Sequence, residues 1–560
     1  MTGNRPWLAS YDDNVSHHID YEDICLPDVL TRTATRFPDR VALVYEGTSL
    51  TYRELDTLVN RFASFLCSLG IKKGDVIAIL LPNLVSTVVA YYGGLKAGAV
   101  VVMNNPLYTD YELEQQFRDS GARLLITLDL LASRMIALRK KTPIREIIYT
   151  TVGDYLPFPK GTLFRLFGKH KGLSTKVSPA SHVYRWHDCL TGNDSDDDFP
   201  ALDVSDVAMY QYTGGTTGIS KGVILTQGNL TRQIQQFIAW APEWAKHHET
   251  MMGALPFFHM FGLSTTMNLS IYVGWTSLLI PRPDTRHLLQ AIERYRPTLA
   301  TLVPTMIIGM MNDARFSKMD FTCFKEVVSG GAPIPLDVIR CFEANSGASI
   351  IEGFGLTEAS PVTHVNPVGG KPRKPGSVGL PFPDTDCRIV DLERGTIDVP
   401  PGEVGELLIR GPQVMQGYLN MPDETRHALR DGWLFTGDIA KMDEDGYFYI
   451  IDRKKDLIIS GGYNVYPRSI DEVFYAHPKI REACAIGIPD SRRGEKVKVL
   501  VVLKDGEEAT AEELMEFCRT RLARYKLPAE IVFRRDLPKS NIGKILRKDI
   551  RKEEMAGPAQ

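Results

Sequence analysis

Residues 212–222 have the composition of a segment that binds an anion. Their sequence is Tyr-Thr-Gly-Gly-Thr-Thr-Gly-Ile-Ser-Lys-Gly. Glycines allow backbone N–H groups to converge, while the hydroxyl groups and Lys221 add donors and a positive charge. Apolar runs at 207–212 and 222–226 predict a strand that enters the segment and a second strand that leaves it. The pattern favours a phosphate-binding turn over a flexible surface loop.

This turn differs from the common nucleotide-binding loop G-x-x-x-x-G-K-[ST]. In that loop the lysine follows the last glycine and a helix begins directly afterwards. Here Lys221 precedes Gly222, and a strand is expected next. The difference indicates a phosphate-binding turn that belongs to another nucleotide fold.

Four further segments carry residue types that suit nucleotide chemistry. Residues 352–358, Glu-Gly-Phe-Gly-Leu-Thr-Glu, offer an aromatic face for a purine, a hydroxyl group and a carboxylate for a metal. Residues 432–438 end in Asp438, which is either a turn residue or an acceptor for both hydroxyl groups of a ribose. Residues 453–464 and 538–544 combine basic residues with glycine, and each by itself is typical of a solvated charge run.

The predicted secondary structure that must position these segments differs between the parts of the chain. Up to about residue 130 and again from 250 to 360, strand-like apolar runs alternate with helical segments, which predicts parallel α/β sheets. Thr51 and Glu54 fit a capping box at the start of one helix. Residues 376–452 predict a small antiparallel barrel or sheet, because short alternating segments lie between turns. Residues 456–552 predict a compact α+β unit, with strands at 482–488, 496–503 and 530–534 and helices at 511–524 and 544–552.

Composition restricts the class of protein. A chain of 560 residues, 44% of them hydrophobic, is too long for one core and too apolar to be largely disordered. The formal net charge of -3 gives no reason to expect nucleic acid as a partner. The 8 scattered cysteines without a C-x-x-C pair predict reduced thiols in the cytoplasm and no zinc site. Without a secretory signal or an apolar run of about 18 residues, a soluble protein is expected, with peripheral membrane contact as an open alternative.

Taken together, the five segments resemble the adenylate-forming superfamily of acyl-CoA synthetases, luciferases and peptide-synthetase adenylation domains. The resemblance covers roughly residues 25–552 and is greatest to bacterial long-chain fatty acid–CoA ligases. The segments that suggest those ligases are 104–109, 212–218, 452–456, 463–467 and 538–544. The resemblance implies an N-terminal domain (1–452) of two α/β subdomains plus a small β-barrel, a hinge (453–455) and a small mobile α+β C-terminal domain (456–560).

The resemblance also implies a two-step reaction. ATP and a carboxylic acid form an acyl-adenylate and pyrophosphate in the presence of Mg²⁺, and the thiol of coenzyme A then displaces AMP. The residues matched to the β- and γ-phosphates are Thr213, Gly214, Gly215, Thr216, Thr217, Gly218 and Lys221. Those matched to adenine are Gly331, Ala332, Gly353 and Phe354, the last of which is often tyrosine in the family. Those matched to ribose are Asp438 and Arg453.

The same matching assigns the groups nearest to the reacting atoms. Thr357 would contact the α-phosphate, and Glu358 and Thr213 would hold Mg²⁺. Lys544 would bind oxygens of the acyl carboxylate and of the α-phosphate. A cation is needed there because two anions must meet in the first step.

Residues 256–263 are the candidates that face the acyl substrate. His259 lies in an aromatic run and is by default a packed core histidine, but the resemblance places it in the carboxylate pocket as a catalytic residue. Phe261, Gly262, Leu263 and Gly330 would line the acyl site. Because each buried CH₂ contributes about 0.8 kcal/mol, a long apolar channel would select for chain length.

Two half-reactions require two geometries of the site. We expect the C-terminal domain to rotate at Lys455, which would remove Lys544 and bring the turn Ser460-Gly461-Gly462 to the coenzyme A channel. These four residues, Lys455, Ser460, Gly461 and Gly462, therefore count among the predicted cofactor contacts. A rigid linker is the alternative.

Other interpretations stay open from the sequence. The acid could be aromatic or alicyclic, the product could be loaded on a carrier protein, or the chain could bind adenylates without catalysis. The presence of Lys544, Glu358 and Asp438 argues against the last of these. Residues 151–173 mix aromatic with basic side chains, which fits either a packed surface loop or an interfacial anchor that collects fatty acid from a membrane. A homodimer is also possible.

Overall fold

The computed structural model describes residues 5–192, 199–213, 220–460, 463–490, 494–540 and 543–556. Strands and helices alternate through its first part. The strands there are β1 (Val41–Tyr45), β2 (Thr48–Thr51), β3 (Val76–Leu80), β4 (Val100–Met103), β5 (Leu124–Leu128), β6 (Glu146–Thr150), β7 (Val183–Arg185), β8 (Val207–Thr213) and β9 (Lys221–Thr226). The helices there are α1 (Leu26–Arg36), α2 (Tyr52–Ser68), α3 (Val85–Lys96), α4 (Asp110–Ser120), α5 (Asp129–Arg139), α6 (Lys160–Phe167), α7 (Gln227–Trp240) and α8 (Pro242–Ala245).

The alternation continues in the middle of the chain. The strands are β10 (Thr250–Gly253), β11 (Thr276–Leu279), β12 (Leu299–Leu302), β13 (Glu326–Ser329), β14 (Ser349–Gly355) and β15 (Val362–Val365). The helices are α9 (Met260–Gly262), α10 (Leu269–Val273), α11 (Thr285–Tyr295), α12 (Pro304–Met311) and α13 (Leu336–Ser346), with a π-helical segment at Leu263–Asn268.

The last part is richer in strands. These are β16 (Leu380–Pro381), β17 (Asp386–Val390), β18 (Gly405–Arg410), β19 (Gly417–Tyr418), β20 (Leu429–Arg430), β21 (Trp433–Met442), β22 (Phe448–Arg453), β23 (Ile458–Ser460), β24 (Tyr463–Val465), β25 (Ile480–Asp490), β26 (Gly494–Leu503) and β27 (Glu530–Phe533). The helices are α14 (Pro422–Ala428), α15 (Pro467–Tyr475), α16 (Ala511–Arg519) and α17 (Arg547–Ala556).

The predicted capping box at the start of α2 is confirmed. The hydroxyl oxygen of Thr51 accepts the Glu54 N–H at 3.2 Å, and the Glu54 carboxylate accepts the Thr51 N–H at 2.7 Å. Two backbone donors that the first turn leaves without a partner are satisfied in this way. The helix therefore begins where the local sequence alone predicts.

A nine-stranded sheet forms the first large layer. Its order is β16-β15-β14-β13-β12-β10-β11-β1-β2, and the strands from β14 to β1 run parallel. Strand β2 and the pair β15–β16 are antiparallel additions at the two ends. The alternation of strands and helices predicted this parallel core, because a parallel connection needs a crossover element.

An eight-stranded sheet forms the second large layer, in the order β19-β9-β8-β4-β3-β5-β6-β7. Strands β8, β4, β3, β5, β6 and β7 are parallel, whereas β9 returns antiparallel to β8. Helix α3 is buried on almost every side, and its apolar residues belong to the core that both large sheets share. The two predicted α/β subdomains therefore correspond to two sheets that are packed into one core.

The small barrel expected in 376–452 is a sheet. Five strands pair antiparallel in the order β17-β18-β21-β20, with β22 on β21. Pairing among the described residues does not join the outer strands β17 and β20 into a closed barrel. The sequence predicted a small antiparallel barrel or sheet here, and the antiparallel sheet is confirmed.

The C-terminal α+β unit is built on a long hairpin. Strands β25 and β26 pair from Ile480–Leu503 to Asp490–Gly494, which carries them further than the predicted 482–488 and 496–503. The hairpin β23–β24 pairs with β26, and β27 is parallel to β26. Helix α16 ends at Arg519 and α17 begins at Arg547, so the predicted bounds 511–524 and 544–552 are wrong at those ends.

Among the helices that the structure describes, none is both long enough and apolar enough to span a lipid bilayer.

Candidate functional site

Four short segments lie at the carboxyl edge of the nine-stranded sheet, and three of them contain residues predicted for the site. Strands β14, β13, β12 and β10 are neighbours that run in the same direction, so the residues after them share one edge. The segments are 256–263, 303–305, 330–332 and 353–358. Ligands of open α/β sheets bind outside this edge. The fold therefore collects the residues predicted for adenine and for the acyl substrate.

The residues predicted for adenine lie on β14 and in the turn after β13. Phe354 is partly buried, and its ring meets the His364 ring edge-on with 5.8 Å between centroids. A Cβ atom at Gly353 would lie 3.2 Å from the carbonyl oxygen of His364, so glycine keeps the two strands close. Gly331 has a φ of 78°, which favours glycine, and Ala332 follows it partly exposed.

Gly330 connects this turn to the acyl segment. A Cβ atom at Gly330 would lie 3.1 Å from Cζ of Phe261, so a larger residue would require the Phe261 ring to shift. Phe261 is buried together with Leu255, Val303 and Val328. The candidate acyl segment therefore rests on the ends of three parallel strands.

The next two residues of the acyl segment are packed into the protein. Gly262 lies against the carbonyl oxygens of Leu255 and Pro256, where a Cβ atom would come within 2.7 and 2.6 Å. Leu263 is completely buried in the main core and starts the π-helical segment, a geometry that is frequent at functional sites. A role for Leu263 as a wall of an acyl channel stays a prediction.

The backbone holds the ring of His259 in place. Its Nδ1 atom accepts the Phe261 N–H at 3.3 Å, which leaves Nε2 to carry the proton of the neutral ring. Burial, and then the positive charge of Lys544, lower the pKa of His259 to about 4. At neutral pH this histidine can therefore donate a hydrogen bond from Nε2 to an anionic ligand.

Asp438 and Arg453 face each other on the paired strands β21 and β22. Arg453 Nε lies 2.6 Å from Asp438 Oδ1. Asp438 is 2% exposed, and its Oδ2 atom has no hydrogen-bond partner within the part of the chain that the structure describes. Burial raises the pKa of Asp438, while Arg453 and then Lys544 oppose the rise. Because an unpaired buried oxygen is costly, Oδ2 is suited to accept hydroxyl groups of a ligand.

Lys544 reaches the same site from a tight turn before α17. The Ser540 N–H donates to the Lys544 carbonyl oxygen at 2.7 Å, which closes the turn. Gly543 has a φ of 75°, and a Cβ atom there would overlap Oγ1 of Thr305 in the segment after β12. The turn therefore sits directly on the edge of the nine-stranded sheet.

The ammonium group of Lys544 is desolvated and lies near charged groups of both signs. Surrounding protein atoms, and then the charge of Arg453, lower the pKa of Lys544 to about 8, although Asp438 acts in the opposite direction. The residue as a whole is exposed, and the protein atoms that desolvate its ammonium group lie around the end of the side chain. Lys544 thus couples electrostatically to both His259 and Asp438.

The predicted phosphate turn joins the antiparallel strands β8 and β9. Thr213 and Lys221 are paired in the last register position before the turn, and the Ser220 hydroxyl donates to the Thr213 carbonyl oxygen at 2.8 Å. The predicted strand–turn–strand order is confirmed. Gly214, Gly215, Thr216, Thr217 and Gly218 lie outside the described residues. Lys221 forms an ion pair with Glu424.

Tyr418 links the phosphate strand to the predicted metal ligand. Strand β19 pairs with β9, which places Tyr418 beside Lys221, with the ammonium group 4.9 Å from the ring centroid. The Tyr418 hydroxyl donates to Glu358 Oε1 at 2.8 Å. Burial, and then the negative Glu358, raise the pKa of Tyr418, so the hydroxyl stays a donor. Thr357 begins the short 3₁₀ turn that contains Glu358.

Comparison with known families agrees with this geometry. The family model described as AMP-binding enzyme matches residues 30–419, and the model for the C-terminal domain of these enzymes matches residues 469–544. The chain belongs to the family of AMP-binding enzymes. The resemblance inferred from the five segments is confirmed.

Several AMP-binding enzymes are similar over nearly their whole length. A long-chain-fatty-acid–CoA ligase of Bacillus subtilis is 44% identical over 99% of both chains. A feruloyl-CoA synthase of an Amycolatopsis species is 34% identical over 93% of this chain and 97% of its own. The ATP-bound crystal structure of MatB from Rhodopseudomonas palustris has a TM-score of 0.82 at 27% identity, covering 94% of this chain and 99% of that one. The apo structure of MatB has a TM-score of 0.72.

The donor groups of this AMP-binding enzyme fit a nucleotide-bound magnesium ion. Within the described ranges, no three His, Cys, Asp or Glu side chains form a ready-made metal site. Glu358 supplies one carboxylate on the side of the phosphate strand. Mg²⁺ in proteins is commonly held by one or two carboxylates together with substrate phosphates. Thr213 lies at the mouth of the phosphate turn and remains a candidate ligand.

Of the residues predicted for coenzyme A, Lys455 lies in the linker and Ser460 lies beyond it. The Lys455 side chain is exposed in the 3₁₀ turn Lys454–Asp456, and desolvation by the surrounding atoms lowers its pKa. Ser460 is buried and pairs with Gly494 across β23 and β26. Gly461 and Gly462 lie outside the described residues. The structure therefore brings Lys455 near the nucleotide residues but leaves Ser460 in the C-terminal sheet.

A polar cavity of about 420 Å³ extends from the phosphate strand to the linker. It is lined by Lys221, Tyr418 and Glu424 at one end and by Thr436 and Lys454 at the other. Tyr418 and Glu424 were not predicted from the sequence. A Gly-Tyr pair and an isolated glutamate carry no local sequence signal. The pairing of β19 with β9 reveals Tyr418, and the ion pair with Lys221 reveals Glu424.

Proposed function

We propose that this AMP-binding enzyme is a fatty acid–CoA ligase of medium to long chain preference. It would convert ATP, a carboxylic acid and coenzyme A into acyl-CoA, AMP and pyrophosphate through an acyl-adenylate. The observation that carries the proposal is that His259 and the Asp438–Arg453 pair, which come from different sheets, all interact with Lys544. Each group comes from a different segment, and together they match the parts of an acyl-adenylate.

The nucleotide would be held along the sheet edge. Phe354 offers its ring to adenine, and the free Oδ2 atom of Asp438 accepts ribose hydroxyl groups while Arg453 holds Oδ1. Thr357, in the 3₁₀ turn after β14, and Lys221, at the start of β9, would contact the phosphates.

The acid would be activated between His259 and Lys544. Neutral His259 donates from Nε2 to one carboxylate oxygen and orients the acid for attack on the α-phosphate. Lys544 binds oxygens of both anions, and its positive charge offsets their repulsion as charge moves toward the leaving pyrophosphate. The ammonium group is already enclosed by protein, so little reorganisation is needed when the substrates meet.

We also assign the residues that would bind the magnesium ion. Glu358 and Thr213 would hold Mg²⁺ with the phosphates, and the ion would supply positive charge that neutralises the triphosphate. Tyr418 orients the Glu358 carboxylate for this purpose.

The scattered thiols favour the cytoplasm as the location, and residues 151–173 favour contact with a membrane. A homodimer stays a prediction.

The second half-reaction requires the domain that carries Lys544 to move. We assign residues 1–452, 453–455 and 456–560 to the N-terminal domain, the hinge and the mobile C-terminal domain. The Asp452 carboxylate now accepts the Arg468 N–H at 2.8 Å, a contact between the two sides of the linker. Rotation at Lys455 would remove Lys544 from the acyl-adenylate and bring the segment around Ser460 to the thiol of coenzyme A. The higher TM-score to ATP-bound than to apo MatB is what an adenylate-forming arrangement predicts.

An aromatic or alicyclic acid is the second candidate substrate. The feruloyl-CoA synthase of Amycolatopsis acts on such an acid and is 34% identical to this chain. The higher identity to the Bacillus ligase favours a fatty acid. An adenylate-binding protein without catalysis is disfavoured, because Lys544, Glu358 and Asp438 are all present and the structure brings them to one site.

One experiment separates these candidates. AMP release is measured with octanoate, palmitate or benzoate, each with and without coenzyme A, and with ATP alone as the control. We expect fast AMP release with palmitate and octanoate only when coenzyme A is present, and slow release with benzoate. A preference for benzoate would support the aryl ligase, and no acid-dependent AMP release would refute the proposal.

A further inference from the structure

The lysine predicted for the phosphates already has an anionic partner. Lys221 at the start of β9 forms an ion pair with Glu424 of α14. The side chains of Lys221 and Glu424 are 16% and 43% exposed. The hydrogen bond from Lys221 lowers the pKa of Glu424, so this carboxylate is negatively charged at neutral pH. A carboxylate thus lies on the ammonium group that a triphosphate would need.

The backbone fixes Glu424 beside the phosphate strand. Strand β19 pairs with β9, and the Leu419 N–H donates to the Gly222 carbonyl oxygen at 2.7 Å. The Thr425 hydroxyl oxygen accepts the Tyr418 N–H at 2.9 Å, which joins the first turn of α14 to β19. The residue next to Glu424 is therefore tied to the strand that pairs with β9, and the carboxylate is held close to the phosphate strand.

Phosphate at Lys221 would meet the negative charge of Glu424. Like charges that share one ammonium group repel each other, so the carboxylate must yield before phosphate binds fully. The Tyr418 ring, with its centroid 4.9 Å from the Lys221 ammonium nitrogen, keeps a favourable contact for the cation when Glu424 moves away. We propose that Glu424 competes with phosphate for Lys221 and so limits how tightly the enzyme holds ATP and pyrophosphate.

The inference rests on the proposed function, because it takes Lys221 as the residue that binds the β- and γ-phosphates. The competition matters most for pyrophosphate. When the bond between the α-phosphorus and the bridging oxygen breaks, pyrophosphate loses its covalent link to the nucleotide and is held by its own contacts alone. Glu424 would then replace it at Lys221, and the departure of pyrophosphate removes the reactant of the reverse reaction.

The polar cavity beside this ion pair offers the released anion a way out of the site. The cavity has a volume of about 420 Å³ and begins at Lys221. Two ion pairs in its lining are neutral overall, namely Lys221–Glu424 and Lys454–Glu406. The remaining Arg, Lys, Asp and Glu side chains of the lining are two positive and one negative, namely Arg394, Arg430 and Glu393. The lining therefore favours an anion that leaves Lys221.

The test is calorimetric titration of the full chain with ATP, pyrophosphate or AMP, each in the presence of Mg²⁺. Glu424→Gln removes the negative charge and keeps the size of the side chain. We expect this variant to bind ATP and pyrophosphate about fivefold more tightly than the wild type, the upper end for a partly exposed ion pair. AMP lacks the phosphates predicted at Lys221, so its affinity should stay unchanged.

Two further variants separate competition at Lys221 from a general effect of charge. Glu46→Gln removes a carboxylate of similar exposure, 40%, from its ion pair with Lys160 outside the site, and should bind all three ligands as the wild type does. Lys221→Gln should bind ATP and pyrophosphate about tenfold more weakly or worse. Adding Glu424→Gln to Lys221→Gln should then improve the affinity by less than about twofold, because the group under competition is gone.

The direction of the change decides between the roles of Glu424. Weaker binding by Glu424→Gln would show that the carboxylate supports the metal or the phosphates, and would overturn the proposal. An unchanged affinity, an equal gain for AMP, or a gain that persists in the Lys221→Gln background would overturn it as well. In octanoate-dependent AMP release, pyrophosphate should inhibit Glu424→Gln at about fivefold lower concentration than the wild type. Absence of acid-dependent AMP release in every protein would refute the ligase and leave the binding result standing.

Discussion

Lys544 is the residue whose charge state matters most to the first half-reaction. Its pKa is lowered to about 8, because protein encloses the ammonium group and Arg453 repels it. The charged form, which the reaction needs, is therefore complete well below this pH and is lost as the pH rises through it. The pH dependence of kcat/KM reports ionisations of the free enzyme.

We accordingly expect kcat/KM for ATP–pyrophosphate exchange to fall about tenfold per pH unit above about pH 8. Lys544→Ala should lower the exchange rate by about 10²-fold or more, since it removes a preorganised charge, and should abolish this alkaline decline. Thioester formation from supplied acyl-adenylate serves as the control and should change little. An identical loss in both half-reactions would remove Lys544 from the role assigned here.

Tyr418 acts through another residue and is a positioning residue. Its hydroxyl bond to Glu358 fixes one carboxylate oxygen, and a hydrogen bond to a charged group contributes about 1.5–3 kcal/mol. Tyr418→Phe should therefore raise the Mg²⁺ concentration for half-maximal rate about tenfold, with kcat at saturating Mg²⁺ nearly unchanged. The weaker binding should also appear when Mn²⁺ is titrated into the ATP complex and followed by electron paramagnetic resonance.

A matched control for Tyr418 is Tyr449→Phe, which removes a hydroxyl bond to Asp443 of 3.2 Å outside the site. It should leave the metal titration unchanged. A Tyr418→Phe enzyme with a normal metal titration but a low kcat would show that the tyrosine supports the fold and does not orient Glu358.

At the scale of elements, the turn that carries Lys544 can pack against the sheet edge only because residue 543 is glycine. A Cβ atom at Gly543 would overlap Oγ1 of Thr305, and the φ of 75° disfavours other residues. Gly543→Ala should thus keep the turn off the sheet edge and lower adenylate formation by about 10-fold or more, as expected for a misplaced catalytic group. Thioester formation from supplied acyl-adenylate should remain.

The companion variant separates overlap from backbone strain. Thr305→Gly in the Gly543→Ala background removes the overlapping side chain and should restore part of the adenylate formation. If Gly543→Ala slows both half-reactions equally, or loses its folded state on heating well below the wild type, the contact with Thr305 is not what limits the reaction.

At the scale of the whole molecule, one short turn connects the two proposed domains and is the proposed hinge between their two arrangements. Residues Lys454–Asp456 form a 3₁₀ turn, whose φ values proline can adopt. Lys455→Pro should therefore permit the present arrangement but restrict the rotation. We expect ATP–pyrophosphate exchange close to normal, and acyl-CoA formation lowered at least about tenfold. Single-turnover measurement of each half-reaction checks this.

Lys455→Ala is the control for this variant, because it removes the ammonium group without restricting φ. It should retain ATP–pyrophosphate exchange and should form acyl-CoA much faster than Lys455→Pro does, even if the loss of a predicted coenzyme A contact lowers that rate slightly. Slow acyl-CoA formation in Lys455→Ala as well would mean that the charge matters and not the rotation, and the hinge would then have to be placed elsewhere.

The sequence by itself determined the elements whose signals are local. The capping box at Thr51, the alternation that becomes two parallel sheets and the strand–turn–strand order around Lys221 depend on neighbours a few residues away. The order of the five segments was enough to place the chain in its family. The bounds of α17 were missed, because Gly543 before this helix packs against Thr305 of α12, which is distant in the sequence.

Tertiary structure alone decided which groups meet. Tyr418 binds Glu358 across 60 residues of chain, and Lys221 pairs with Glu424 across 203. The partnerless Oδ2 atom of Asp438 and the enclosure of Lys544 are also properties of packing. None of these has a local signature, because a hydrogen bond or a desolvation cost depends on atoms that come close only when separate sheets assemble.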